Sequence, residues 1–137
     1  MGSRRAARRA AVVVLYQADL TGSDPEETLA ASLAQGDGTD DPFTHELVSG
    51  VAMSLPEIDD VLGQHTEGWS VSRLAPVDRA ILRLATFELL HRQDVPVGAV
   101  INEAVEAAKT LSSQESGGFV NGILGRIARE RVGTEDR

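Results

Sequence analysis

Cysteine is absent from this sequence of 137 residues, so neither disulfides nor thiolate metal sites are open to it. No apolar run reaches the length of a membrane span, and no secretory apolar region is present, which leaves a cytoplasmic, intracellular protein as the simplest expectation. Nothing alternates apolar and polar residues with a period of two, so half-buried strands are not expected. Positive charge is missing over a long stretch. From Ala10 to Ser72 there is no Lys or Arg, while Asp19, Asp24, Glu46, Asp60 and eight further carboxylates fall there. The net charge of −8 alone argues against nucleic acid, yet Arg4, Arg5, Arg8 and Arg9 all precede the first acid, Asp19. A basic head therefore leads an acidic body.

The length fits one domain with a substantial core. Helical periodicity runs from Arg4 to Leu20, where Ala7, Ala11, Val14, Leu15 and Ala18 recur on one face. Asp24-Pro25 and Asp41-Pro42 each read as an N-cap followed by proline at the first helical position. The first opens a short helix to about Gln35, the second a helix carrying Leu47, Val51 and Leu55, and GDGTDD between them reads as an acidic loop. Pro56 is expected to kink that helix or to start another. After a turn at Gly68-Trp69-Ser70 and a short helical connector, the stretch Leu74–Arg92 organises the chain, and an apolar stripe follows from Val97 to Leu111. Ser112-x-x-Glu115 reads as the capping box of a last helix bearing Val120, Ile123, Leu124 and Ile127. The expectation is an all-α domain of six or seven helices over residues 1–132, without internal repeats, and a disordered tail at 133–137.

Within the organising stretch, Val77, Ile81, Leu84 and Glu88 fall within about 60° of one another on a helix. Burying a carboxylate without partners costs several kcal/mol, so Glu88 is expected to be satisfied by backbone N–H groups or by an arginine such as Arg83 or Arg92. His45, His65 and His91 stand singly, without metal-ligand spacing and without a nucleophile beside them. Neither catalysis nor a cofactor is therefore expected. The four arginines occupy two successive turns, where planar guanidiniums suit phosphates, and Tyr16 lies further along the same helix, placed to stack on an unpaired base. Gly118, Gly122 and Gly125 share one side of the last helix with Arg129; each costs about 0.5–1 kcal/mol relative to alanine, so close approach of another helix is the expected compensation, with an RNA backbone as the alternative.

The segments RRAARRAAVVVLYQ, VDRAILRLATFELL, VPVGAVINEAVEAAK and FVNGILG, in this order and spacing, resemble the NusB transcription antitermination factors, and the match runs from about Arg4 to Ile127. The resemblance implies two three-helix bundles set roughly across one another. It implies an RNA-binding adaptor that pairs with the ribosomal small-subunit protein NusE on a single-stranded boxA element of nascent ribosomal RNA, and that joins the RNA polymerase elongation complex indirectly. By position it assigns RNA contact to Arg4, Arg5, Arg8, Arg9, Tyr16, Glu115 and Ser116, and NusE contact to Asp78.

The chain departs from the family pattern in places. Gly125 stands where many members carry an acid, Gly117-Gly118 where some carry a basic residue, and Leu111-Ser112 where some have Phe-Gly. Two other readings fit the same resemblance. One is an accessory RNA-targeting domain of the kind that precedes an RNA cytosine methyltransferase in some chains; this sequence has no G-x-G-rich cofactor loop and no catalytic cysteine of its own. The other is a structural homodimer with its arginine face covered by a second copy.

Overall fold

A computed structural model describes residues 3–38 and 40–132. It has six α-helices: α1 (Arg4–Thr21), α2 (Pro25–Ala34), α3 (Pro42–Gly63), α4 (Pro76–His91), α5 (Val97–Leu111) and α6 (Gln114–Ile127). A 3-10 turn at Val71–Arg73 leads into α4, and a π-helical turn at Ala128–Val132, which periodicity does not reveal, follows α6. There is no strand among the described residues, and no helix among them is long and apolar enough to cross a membrane. The tail expected at 133–137 lies outside the described residues.

The helix starts follow local chemistry. Asp24 accepts a hydrogen bond from the Glu27 N–H at 3.0 Å, and Asp41 accepts one from the Phe43 N–H at 2.9 Å, each just ahead of a proline. At the last helix the cap sits one residue later than expected: Ser113, not Ser112, accepts the Ser116 N–H at 3.1 Å. Ser112 instead closes α5, and its hydroxyl lies 2.9 Å from that of Ser116. Of the two outcomes expected at Pro56, the start of another helix does not occur. α3 runs through it, since proline removes one intrahelical donor but tertiary burial of Ile58, Val61 and Leu62 holds the following turns.

α1, α2 and α3 contact one another, α4, α5 and α6 contact one another, and α4 also lies against α1 and α3. This helix is the strut between two sets of three. Its Ile81, Leu82, Leu84 and Leu89 are buried, each contributing about 1.5–3 kcal/mol by leaving water. One close approach depends on glycine: a Cβ at Gly50 of α3 would lie 2.1 Å from the Phe87 ring of α4, so the two helices meet there only because that atom is missing.

The glycine side of α6 behaves differently from expectation. A Cβ at Gly118 would meet nothing within 4 Å, while one at Gly122 or Gly125 would meet only the guanidinium ends of Arg126 and Arg129 from the same helix. Among the described residues no helix closes on that side, because the buried face of α6 is the opposite one, with Val120, Ile123, Leu124 and Ile127.

Candidate nucleic-acid interface

Ser3 caps α1 by accepting the Ala6 N–H at 3.0 Å, which fixes the helix start immediately before the arginines. The four guanidiniums then take different roles. Arg8 points inward, its Nε 2.9 Å from Glu88 Oε2 and its Nη2 2.9 Å from Glu88 Oε1, with the two side chains 12% and 2% exposed. Glu88 is thus tied by an arginine, as charge burial requires, and the two-pronged grip comes from Arg8, while Arg92 acts on the same carboxylate at longer range. Arg83 lies about 140° around the helix from Glu88 and grips Asp59 at 2.8 and 2.9 Å. Arg92 has already left the helix and pairs with Asp94 and Glu46.

Arg5 donates two hydrogen bonds to Glu103 of α5, at 3.0 and 3.1 Å, in an exposed setting. The pair shifts both groups in the usual directions: Glu103 holds the Arg5 guanidinium more firmly protonated, and Arg5 lowers the Glu103 carboxyl below its ordinary range. Arg4 lies over the Phe43 ring at 4.1 Å from its centroid, with Arg8 and Arg92 further out at 5.2 and 5.3 Å. Arg9 makes no ion pair among the described residues. Of the expected phosphate clamp, therefore, Arg4 and Arg9 form no ion pair among the described residues, Arg5 is held by a carboxylate in an exposed setting, and Arg8 is an internal tie.

Arg5, Arg9, Val13, Tyr16 and Leu20 follow one another at three- or four-residue steps and so share one stripe of α1. Val13 and Leu20 are 43% and 55% exposed, and Tyr16 is half-buried against the core. The stripe is cationic at its start and apolar at its end.

A second cluster forms where α4 and α6 begin. Asp78, to which the resemblance assigns contact with a protein partner, is buried because the first turn of α6 covers it. The Ser116 hydroxyl donates to Asp78 Oδ2 at 3.3 Å, while Oδ1 has no hydrogen-bond partner among the described residues. Burial raises the Asp78 carboxyl above its ordinary range, and the Ser116 bond offsets part of that rise. Glu115, Arg73, Trp69 and Phe119 line the adjoining groove, the two aromatics being 56% and 41% exposed. The residues to which the resemblance assigns different partners, Asp78 on one side and Glu115 with Ser116 on the other, thus meet in one place. Trp69, Phe119 and Glu103 are not marked as site residues by the sequence, where each stands without a motif of its own.

No group of three His, Asp or Glu among the described residues is arranged to hold a metal ion. Fold and surface together define an all-helical domain with a cationic helix start on an otherwise acidic body. The model of the NusB family matches residues 5–129, and the chain belongs to that family. It is 48% identical over 130 residues to the transcription antitermination protein NusB of Saccharopolyspora erythraea, covering 93% of this chain and 88% of that one. The NusB structure of T. maritima matches with a TM-score of 0.86 at 38% identity, over 98% of this chain and 96% of that one. A crystal structure of the antitermination factors NusB and NusE in complex with double-stranded RNA contains a chain that matches with a TM-score of 0.81 at 31% identity, over 92% of this chain and 96% of that one.

Proposed function

We propose that this protein is a non-enzymatic, cytoplasmic transcription antitermination factor that binds RNA together with the ribosomal protein NusE. The RNA is a boxA-type single strand in nascent ribosomal transcripts. The observation that carries this reading is the α1 stripe, with guanidiniums at Arg5 and Arg9 and exposed apolar side chains at Val13 and Leu20. Phosphates bind at the cationic end, and the acidic body confines them there by repelling the strand elsewhere. Tyr16 supplies a stacking face, and Asp78, Glu115 and Ser116 form the second contact region. Protein and RNA partners reinforce one another when one strand spans both proteins, because the second contact is then intramolecular.

Fluorescence titration with a labelled boxA-type single strand, with and without NusE, tests this. Binding should tighten when NusE is present and weaken as salt rises. Equal affinity for the parent and for a protein with both Arg5 and Arg9 replaced by alanine would sink the reading.

A further inference from the structure

Three guanidiniums gather around one aromatic ring, that of Phe43, and they are not equivalent. Arg8 and Arg92 lie further out, 5.2 and 5.3 Å from the ring centroid, and each is committed elsewhere: Arg8 to Glu88, Arg92 to Glu46 and Asp94. Arg4 lies over the ring at 4.1 Å and forms no ion pair among the described residues.

The meeting of Arg4 with this ring is fixed from both sides. Asp41 accepts the Phe43 N–H and sets the ring in the first turn of α3, while Ser3 caps α1 one residue before Arg4. The two helix starts are also joined to each other. The buried Thr44 hydroxyl donates to the Ala7 carbonyl at 3.1 Å; Thr44 follows Phe43, and Ala7 lies one helical turn after Arg4. Phe43 itself is 8% exposed and packed in the core, so the face it offers is rigid.

Stacking and ion pairing hold an arginine in different ways. A carboxylate takes the N–H groups at the guanidinium edge and offsets the charge, as Glu103 does for Arg5. A ring takes the flat face, and leaves the charge and the edge donors open to an anionic partner. Without such a support, a long side chain in the first turn of a helix loses its rotamer freedom only on binding, which lowers affinity. Arg4 and Arg5 leave α1 about 100° apart, one turned to α3 and the other to α5, so a phosphate chain crossing the helix start meets a cation on each flank.

On the RNA-binding reading above, we infer that Phe43 is a positioning residue, a platform that presents Arg4 to a backbone phosphate with its edge donors open.

The test is a titration of the full chain with a labelled boxA-type single strand across a salt series, with thermal unfolding of each variant and proton NMR of the parent. Arg4→Gln should weaken binding severalfold and lower the slope of log affinity against log salt by about 0.7, the share of one single-strand phosphate. Phe43→Leu keeps the site apolar and Arg4 charged, yet should weaken binding about two- to fivefold, the range of an exposed cation–π contact. That loss should persist beside Arg5→Ala and vanish beside Arg4→Gln, which a general loosening of the fold would not do. In the parent, the Arg4 side-chain protons should be shifted upfield by the ring relative to those of Arg9, a reading that needs no variant to fold. The platform is wrong, while the RNA reading stands, if the parent binds and any of three results appears: Arg4→Gln binds as well as the parent, Phe43→Leu weakens Arg4→Gln as much as it weakens the parent, or the Arg4 protons resonate with those of Arg9. A parent that does not bind the strand overturns both.

Discussion

Arg8 and Glu88, 80 residues apart in sequence, form a two-pronged ion pair between the first helix and the central one, at 2.9 Å on each prong. Glu88 is among the most buried side chains of the protein. Arg8→Ala leaves this carboxylate without its guanidinium and should lower stability by about 3 kcal/mol or more. Replacing both residues with apolar ones, Arg8→Met with Glu88→Leu, should cost much less, because no charge is then left buried. Urea denaturation of the parent and the two variants measures this, and an Arg8→Ala protein as stable as its parent would remove the pair from any account of the fold.

The remaining arginines should separate stability from binding. Arg5 is 59% exposed at its side chain, so removing its pair with Glu103 should leave the urea midpoint close to that of the parent. Alanine at Arg5 or Arg9 should instead weaken RNA binding and lower the salt slope, by about 0.7 for each phosphate no longer neutralised. Glu103→Gln should act in the opposite direction, since it releases Arg5 from its bound carboxylate. Anisotropy titrations at two salt concentrations decide between these outcomes and a purely structural role.

Asp78 should make stability depend on pH. Its carboxyl is raised in the folded protein, so between the unfolded value and the raised one the folded state binds more protons. Stability from this group is therefore highest below the unfolded value and falls as pH rises through the window up to the folded one. Asp78→Asn keeps the side-chain shape and removes the titration. It should raise the melting temperature at pH 7, with the gain over the parent shrinking as pH is lowered into the carboxylate range. A constant difference at all pH values would show that burial of the charge is not its source.

Two glycines should respond to alanine with opposite signs. Gly50→Ala places a methyl group within 2.1–2.7 Å of the Phe87 ring and should destabilise the protein by about 1–3 kcal/mol through overpacking. Gly118→Ala enters open space within a helix and should stabilise by about 0.5–1 kcal/mol. Thermal melts of the pair check both signs in one experiment.

What could be read in the sequence follows the range of the forces involved. Asp24-Pro25 and Asp41-Pro42 mark helix starts because caps and proline act within one turn, and the structure begins helices at both. The all-helical class and the family motifs are legible for the same reason of local pattern. The partner of Glu88 is not, since two arginines nearby in sequence compete on paper with one that only the fold brings close. The burial of Asp78 is hidden likewise, because it depends on how α6 returns over the start of α4. The glycine side of α6 misleads in the other direction: three glycines on one side describe an opportunity for contact, and nothing in their spacing says whether this chain uses it.

The tie between Arg8 and Glu88 also sets an order of assembly. Of the six helices α1 is made before the other five, yet its inward anchor lies in α4 and its outward one, Glu103, in α5. Contacts this distant in sequence form only after a long loop has closed. The helix that carries the arginines is thus synthesised ahead of both its anchors and secured late, so a chain interrupted before α5 has the cations but not the frame that aims them.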